Sequence, residues 1–310
     1  MDQKQRRLKI IKALKLHTIQ YEMHLSVLKA IGNTHDMSGT EGSGMLLLGM
    51  PGVGKTRTIE KYIETYMKGY GETESDTLTL CPIVKISIPS KPTVKGLIIK
   101  ILNTVGHPAL SGSEAQLDAR LGCFIQKQGV EMLIFDECQH LLKEQAQVIT
   151  RNVVNYIKTL MDEHKLAIVM SGLPEAKSSI TQFEELYQRF TAEHIELRPF
   201  SLQSKEDQWQ FSGYLNTYKR ILKESGIVTI DLSSKPMQER IMLATQGVPR
   251  LINRLLEKVL SVGDLDKTLG INDFVQAYNK AQLNPDLGTF NPFKADIIKV
   301  RDRLDKSNRK

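Results

Sequence analysis

The 310-residue chain predicts an α/β fold in which a parallel sheet is covered by helices and a smaller all-helical domain follows. Three observations carry that prediction. Short apolar strand patterns alternate with helix-period segments up to residue 197, the pattern that strand–helix–strand units with parallel pairing leave in a sequence. A glycine-rich turn, GMPGVGKT, lies between the first strand pattern and the helix pattern after it. Beyond RPFSLQ (198–203) no comparable strand pattern recurs, and the remainder is helix-periodic.

The elements follow in order. Residues 3–31 place Leu8, Ile11, Leu14, Ile19, Met23, Val27, Leu28 and Ile31 at helical spacing, and GNTHDMSGTEGSG then breaks into loop, so a helical prologue and a linker are expected. Met45 to Leu48 predict a buried strand and Thr58 to Lys68 a helix. CPIVKISI (81–88) predicts a strand, 93–104 a helix with Thr93 as candidate cap, and 114–128 a helix behind the capping-box pair Ser113 and Gln116. A strand at 132–135, a helix at 145–163 and strands at 166–172 and 194–197 complete the alternation. Helices are expected near 205–224, 235–246, 248–262 and 271–281. The organisation is therefore an N-terminal helical segment (1–35), an α/β domain (36–200), a helical domain (201–282) and a basic tail (283–310). There is no internal repeat and no low-complexity run.

Composition narrows the function classes. With 41% apolar residues the chain buries a full core, so disorder throughout is excluded. The 42 Lys and Arg against 35 Asp and Glu give a net charge of +7, which favours a polyanionic partner. The excess is concentrated at the ends: residues 1–16 hold six bases against one acid, and residues 291–310 hold seven against three. Solvated basic ends without a partner are the alternative. Cys81, Cys123 and Cys138 are odd in number and widely spaced, which speaks against a disulfide framework or a zinc site and for a reducing cytoplasm. No apolar run is long enough to span a bilayer, and the basic start lacks a signal-peptide core; a cytoplasmic protein without a membrane partner is expected.

The chemistry is concentrated in two motifs. Gly49, four intervening residues, Gly54, Lys55 and Thr56 satisfy the phosphate-loop pattern G-x-x-x-x-G-K-[ST] between a strand and a helix. Gly49, Gly52 and Gly54 let successive backbone N–H groups turn inward around phosphates, with Pro51, Val53 and Arg57 completing the binding loop, Lys55 reaches the β and γ phosphates, and the Thr56 hydroxyl ligates Mg²⁺. A Gly-rich turn that precedes a lysine by chance is the alternative. The second motif is EMLIFDECQHLL (131–142), where four apolar residues deliver adjacent carboxylates, Asp136 and Glu137. Two carboxylates at the end of a buried strand repel each other and lose hydration, and a cation offsets both costs. Asp136 then holds the Mg²⁺ shell, and Glu137 polarises the attacking water. Cys138, Gln139 and His140 follow in a positional or coupling role, with a sensor of ligand state as alternative; His140 has no second ligand at metal spacing.

Three further positions fit an ATPase that works as an oligomer. Ser171 ends the strand after the DE strand, where a small hydroxyl touches the γ phosphate or the water. Arg189, in FEELYQRF, ends a helix-like segment from which a guanidinium enters a neighbour's site. Arg250, in GVPRLINRLL, opens a helix behind Gly247 and Pro249 and reaches back over bound nucleotide, with Arg254 one turn on as competitor. Ordinary strand-end and helix-end roles are the alternatives.

The order GMPGVGKT, LIFDECQHLL, MSG, QRF and GVPR resembles the AAA+ ATPases of the initiator-like branch, and IFDECQHL followed by SGLPEA and QRF resembles more narrowly the TnsC/TniB transposition regulators. The resemblance covers roughly residues 20–280. Carried over, it implies a P-loop AAA+ core followed by a helical lid, the phosphate loop at Gly49 to Thr56, the Mg²⁺ acid Asp136, the catalytic acid Glu137, first sensor Ser171, trans arginine Arg189 and second sensor Arg250. Ser171 departs from the Asn of many AAA+ proteins. The resemblance further implies ATP-dependent rings or helical filaments on double-stranded DNA, with transposase subunits and a target selector (TniQ-like or a sequence-specific DNA binder) as partners. SKPTVKG (90–96) offers Lys91, Thr93 and Lys95 to DNA phosphates without sequence preference; a plain exposed loop is the alternative. The tail NPDLGTFNPFKADIIKVRDRLDK (284–306) carries Phe290 and Phe293 with little core to join, which suits a peptide docked on a partner; a tail packed on its own helical domain is the alternative. A different class of function, an AAA+ machine acting on protein in secretion, signalling or helicase loading, uses the same site, and a small-molecule kinase fits the helical domain poorly.

Overall fold

The structure, a computed structural model, describes residues 3–16, 21–69, 80–107, 111–142, 147–190, 193–281 and 283–307. The expected helix positions 145 and 146 and the tail positions beyond 307 lie outside the described residues. In chain order the elements begin with α1 (Gln3–Leu16), α2 (Glu22–Asp36), β1 (Ser43–Gly49), α3 (Lys55–Gly69), β2 (Ile83–Ser87), α4 (Val94–Thr104) and α5 (Glu114–Gln128). They continue with β3 (Met132–Asp136), a 3-10 turn (Cys138–Leu142), α6 (Gln147–His164), β4 (Ala167–Gly172), α7 (Ala176–Ile180), α8 (Glu184–Arg189) and β5 (Glu193–Leu197). After residue 200 come α9 (Lys205–Glu224), α10 (Lys235–Thr245), α11 (Pro249–Val262), α12 (Ile271–Ala281) and α13 (Ile297–Ser307). Among the described residues these form two compact units, one of Met23–Pro51 and Lys55–Leu197, the other of Met1–Glu22, Gly52–Gly54 and Arg198–Lys310.

The first unit is a five-stranded parallel sheet in the order β2-β3-β4-β1-β5. Nearly every residue of β1, β3 and β4 is buried, as expected of strands covered on both faces. The pleat sends Leu46, Leu48, Val84, Ile86, Leu133, Phe135, Ile168 and Met170 into one core with Leu97, Ile98, Ile101, Leu121, Ile157 and Met161 of α4, α5 and α6. Local signals set the helix ends: Thr93 Oγ1 caps α4 by accepting the Gly96 N–H at 3.0 Å, and Ser113 and Gln116 form the expected capping box on α5.

One sequence expectation fails in this unit. The segment from Gly32 onward was expected to be loop, yet α2 runs to Asp36. Val27, Ile31, Thr34 and His35 share one buried face, and the Thr34 hydroxyl donates to Ala30 O at 2.9 Å, so burial and an internal hydrogen bond outweigh the weak helix propensity of Gly32 and Asn33.

The second unit is helical. Its core includes Phe211, Leu215, Ile241, Leu255 and Phe274, all almost fully buried. α1 belongs to it: Ile10 and Leu14 are buried, Arg6 pairs with Asp266 at 2.7 Å, and Arg7 donates to Gly263 O at 2.8 Å. Of the two alternatives for the tail, packing on its own helical domain is the one the structure shows. Asn284 donates to Leu243 O at 2.8 Å, and Asn291 donates to Val275 O at 3.0 Å and Asn279 Oδ1 at 2.7 Å while accepting the Phe293 N–H at 2.9 Å. These two asparagines fasten both Asn-Pro steps. Phe293 is buried against Phe274 and Tyr278, and Arg303 covers the Phe290 ring at 4.1 Å. The segment closes its own helical unit instead of projecting from it.

Candidate nucleotide site

Because the sheet is parallel, β1, β3 and β4 all deliver their carboxyl ends to the same edge, the usual position of ligand sites in such folds. β4 lies between the other two. The chain leaves β1 through GMPGVGKT, where Gly52 (φ 89°) and Gly54 (φ 110°) adopt conformations closed to side-chain-bearing residues. Lys55 Nζ donates to Gly49 O at 2.5 Å and to Met50 O at 3.3 Å, and α3 starts at Lys55, so its N-terminal N–H groups border the loop.

β3 ends at Asp136, a carboxylate that is 7% exposed and accepts the Thr56 hydroxyl at 3.1 Å and the Glu137 N–H at 3.0 Å. The hydroxyl and the acid predicted to share a Mg²⁺ shell are therefore direct neighbours. This pair suits a hard cation that keeps most of its waters and borrows its remaining ligands from phosphate. Register places Ser171 on the same sheet face as Asp136, beside Leu47 of β1. Its hydroxyl is fully buried and has no hydrogen-bond partner among the described residues. A buried orphan hydroxyl costs stability unless a ligand satisfies it, so its position agrees with contact to a phosphate or an attacking water.

Glu137 adopts φ 61°. Its carboxylate is bound by the Gln139 side-chain amide, whose oxygen accepts the Leu173 N–H at 3.2 Å. Cys138 lies beneath, and burial and the nearby Asp136 push its thiol up to about 12, which leaves it an inert packing group. Within the helical unit the Arg250 N–H donates to Gly52 O at 3.1 Å, and a side chain at Gly52 would press on Val248 and Arg250 at 3.0 Å.

Other expected residues lie apart from this cluster. Arg189 makes bidentate bonds to Asp162 at 2.8 and 2.9 Å and donates to Glu185 O at 3.0 Å. Lys91 and Lys95 are exposed, and the Thr93 hydroxyl serves as a helix cap. Asp162 and Leu173 carry no signal in the sequence: nothing local marks a carboxylate in α6 or a backbone N–H after β4 as a partner of groups 27 and 34 residues away.

Sheet order, phosphate loop and DE strand define the class: the chain has the AAA+ fold, with an α/β core and a helical region after it. The Bacterial TniB protein family model matches residues 7–199, more than half of the chain, and the chain belongs to that family. No curated protein sequence matches. Among solved structures, Cdc6p from Pyrobaculum aerophilum aligns with a TM-score of 0.61 at 14% identity over 84% of this chain and 68% of that one. Drosophila ORC bound to DNA aligns at 0.56 and 14% over 91% and 67%. The Aeropyrum pernix ORC1 protein in complex with DNA aligns at 0.57 and 14% over 85% and 66%. At such identity the likeness concerns the fold.

Proposed function

We propose that this chain is an ATP-hydrolysing, DNA-binding regulator of transposition. It assembles on double-stranded target DNA as a ring or helical filament, links a target selector to transposase subunits, and uses hydrolysis to set the lifetime of the assembly. The observation that carries the nucleotide part is the 3.1 Å bond between Thr56 and Asp136, which joins the phosphate loop to the DE strand. Membership of the TniB family supports the transposition part.

The roles follow from the chemistry. The turn from Gly49 to Thr56, with Pro51, Val53 and Arg57 shaping it, cradles the phosphates, and Lys55 leaves its carbonyl partners for the β and γ phosphates. Thr56 and Asp136 hold Mg²⁺, largely through water; when bound, the ion neutralises charge on the phosphate oxygens. Glu137 accepts a proton from water as its oxygen bonds to the γ phosphorus, the bond to the bridging oxygen breaks and ADP departs. Ser171 meets the γ phosphate or that water. Arg189 exchanges Asp162 for the transition-state charge in a neighbouring subunit, and Arg250 reports the phosphate state through the loop. Lys91 and Lys95, with Thr93 between them, face DNA phosphates.

Mass photometry with random-sequence double-stranded DNA, with and without a slowly hydrolysed ATP analogue and Mg²⁺, tests the reading. Multimers on DNA that need the nucleotide and weaken with salt are expected. Multimers that form with nucleotide and ignore DNA would overturn the DNA role and favour an ATPase acting on a protein partner.

A further inference from the structure

The residues after β3 do more than end a strand. Glu137 holds a left-handed conformation that a residue with a side chain adopts at an energetic cost, so something nearby must fix it. Gln139 is placed to do so. Its amide nitrogen donates to Glu137 Oε2, and its amide oxygen accepts the Leu173 N–H at 3.2 Å, one residue past the end of β4. The fit leaves no slack: a Cβ on Gly172 would lie 2.8 Å from Gln139 Oε1 and collide with Cys138 Sγ. Both ends of one amide are therefore committed, one to the carboxylate and one to the strand that carries Ser171.

The chemistry of the position is narrow. A glutamate there would lack the donor and set two carboxylates against each other, a lysine would lack the acceptor, and an asparagine is one methylene short. We infer that Gln139 is a positioning residue for ATP hydrolysis, tying the Glu137 carboxylate to the end of β4. It fixes one oxygen of Glu137 and leaves the other to the attacking water. A displacement of Ser171 or Leu173 by the terminal phosphate is passed along the same amide to Glu137. The inference rests on the hydrolysis reading above and adds to it a link between the sensing strand and the base.

Steady-state ATPase kinetics of the full chain with Mg²⁺ and double-stranded DNA test it on Gln139→Met, Gln139→Glu, Glu137→Gln and the Glu137→Gln/Gln139→Met double variant. Gln139→Met, which keeps the volume and loses both hydrogen bonds, is expected to lower kcat roughly ten- to a hundredfold, the scale of a misplaced catalytic group. KM and the affinity for a slowly hydrolysed analogue stay at the wild-type level, and Gln139→Glu loses at least as much kcat. The double variant is no slower than Glu137→Gln alone, because both changes act through one carboxylate. Wild-type kcat in Gln139→Met, or losses that multiply in the double variant, overturn the inference. If Gln139→Met does not fold, Gln139→Asn is held to the same two criteria. A fully active Glu137→Gln removes the catalytic assignment itself, whereas a disabled Glu137→Gln beside a normal Gln139→Met removes the positioning role alone.

Discussion

Thr56 and Asp136 stand 80 residues apart in the chain and one hydrogen bond apart in space. Two predictions belong at this residue scale. Lys55→Ala removes the ammonium that the loop holds in place and is expected to abolish binding in a fluorescent-nucleotide titration. Glu137→Gln keeps nucleotide binding, lowers turnover by about 10²- to 10⁴-fold and leaves assemblies trapped; an unchanged rate of phosphate release would sink the assignment. A further prediction, on stability, concerns His35, which is buried with Nε2 3.1 Å from Glu131 Oε2 and Nδ1 2.9 Å from the Tyr62 hydroxyl. The ring shares a hydrogen bond with the Tyr62 hydroxyl through Nδ1, and its Nε2 lies within ion-pairing distance of the Glu131 carboxylate. Burial lowers its pKa and outweighs the opposing pull of Glu131. Folded, this histidine binds fewer protons than unfolded, so its contribution is complete above the ordinary value of 6.5 and is lost as pH falls below it. The urea midpoint should drop between about pH 7 and pH 5 in the wild type and drop less in His35→Gln; equal drops would exclude His35 as the cause. The phosphate loop and the DE pair were legible because their residue types stand at fixed spacing. Gln139 was visible only as a positional residue, and Leu173 and Asp162 were not visible, because their partners are reached through the fold.

At the scale of elements, strands and capped helices were readable because burial on both faces writes continuous apolar runs and caps need particular side chains at particular offsets. The end of α2 was missed and the tail was left between two alternatives for related reasons. In α2 a polar, glycine-containing stretch is held helical by the burial of Thr34 and His35. In the tail two asparagines spend their amides on backbone carbonyls of the helical unit, a use that sequence cannot distinguish from a solvated turn. Phe293 is 3% exposed, so Phe293→Ala should destabilise the helical unit by about 3 kcal/mol, the typical cost of emptying an aromatic core site. Urea unfolding measures this, and a change near zero would mean that the segment is not part of the core.

At the scale of the whole molecule, not every base near the chain ends is free for a polyanion. Arg6 and Arg7 are bound within the helical unit, and Arg301 is paired with Glu239 at 3.0 Å. Lys91 and Lys95 remain exposed on the α/β unit. If they contact DNA phosphates, Lys91→Ala and Lys95→Ala should each reduce the salt slope of DNA binding by about one, with little effect on sequence preference; an unchanged slope in the double variant would place the contact elsewhere. The strand order has a consequence for synthesis. Among the described residues β1 pairs with β4 and β5, and the Arg6 contact on Asp266 is made from the far end of the chain. At roughly 5–20 residues per second on the ribosome, the leucines of β1 wait about 7 to 30 s for both neighbours to emerge. A product released before Glu193 leaves one edge of β1 open, and one released before Ala167 leaves both, so premature termination yields a species prone to aggregate instead of a free-standing α/β fragment.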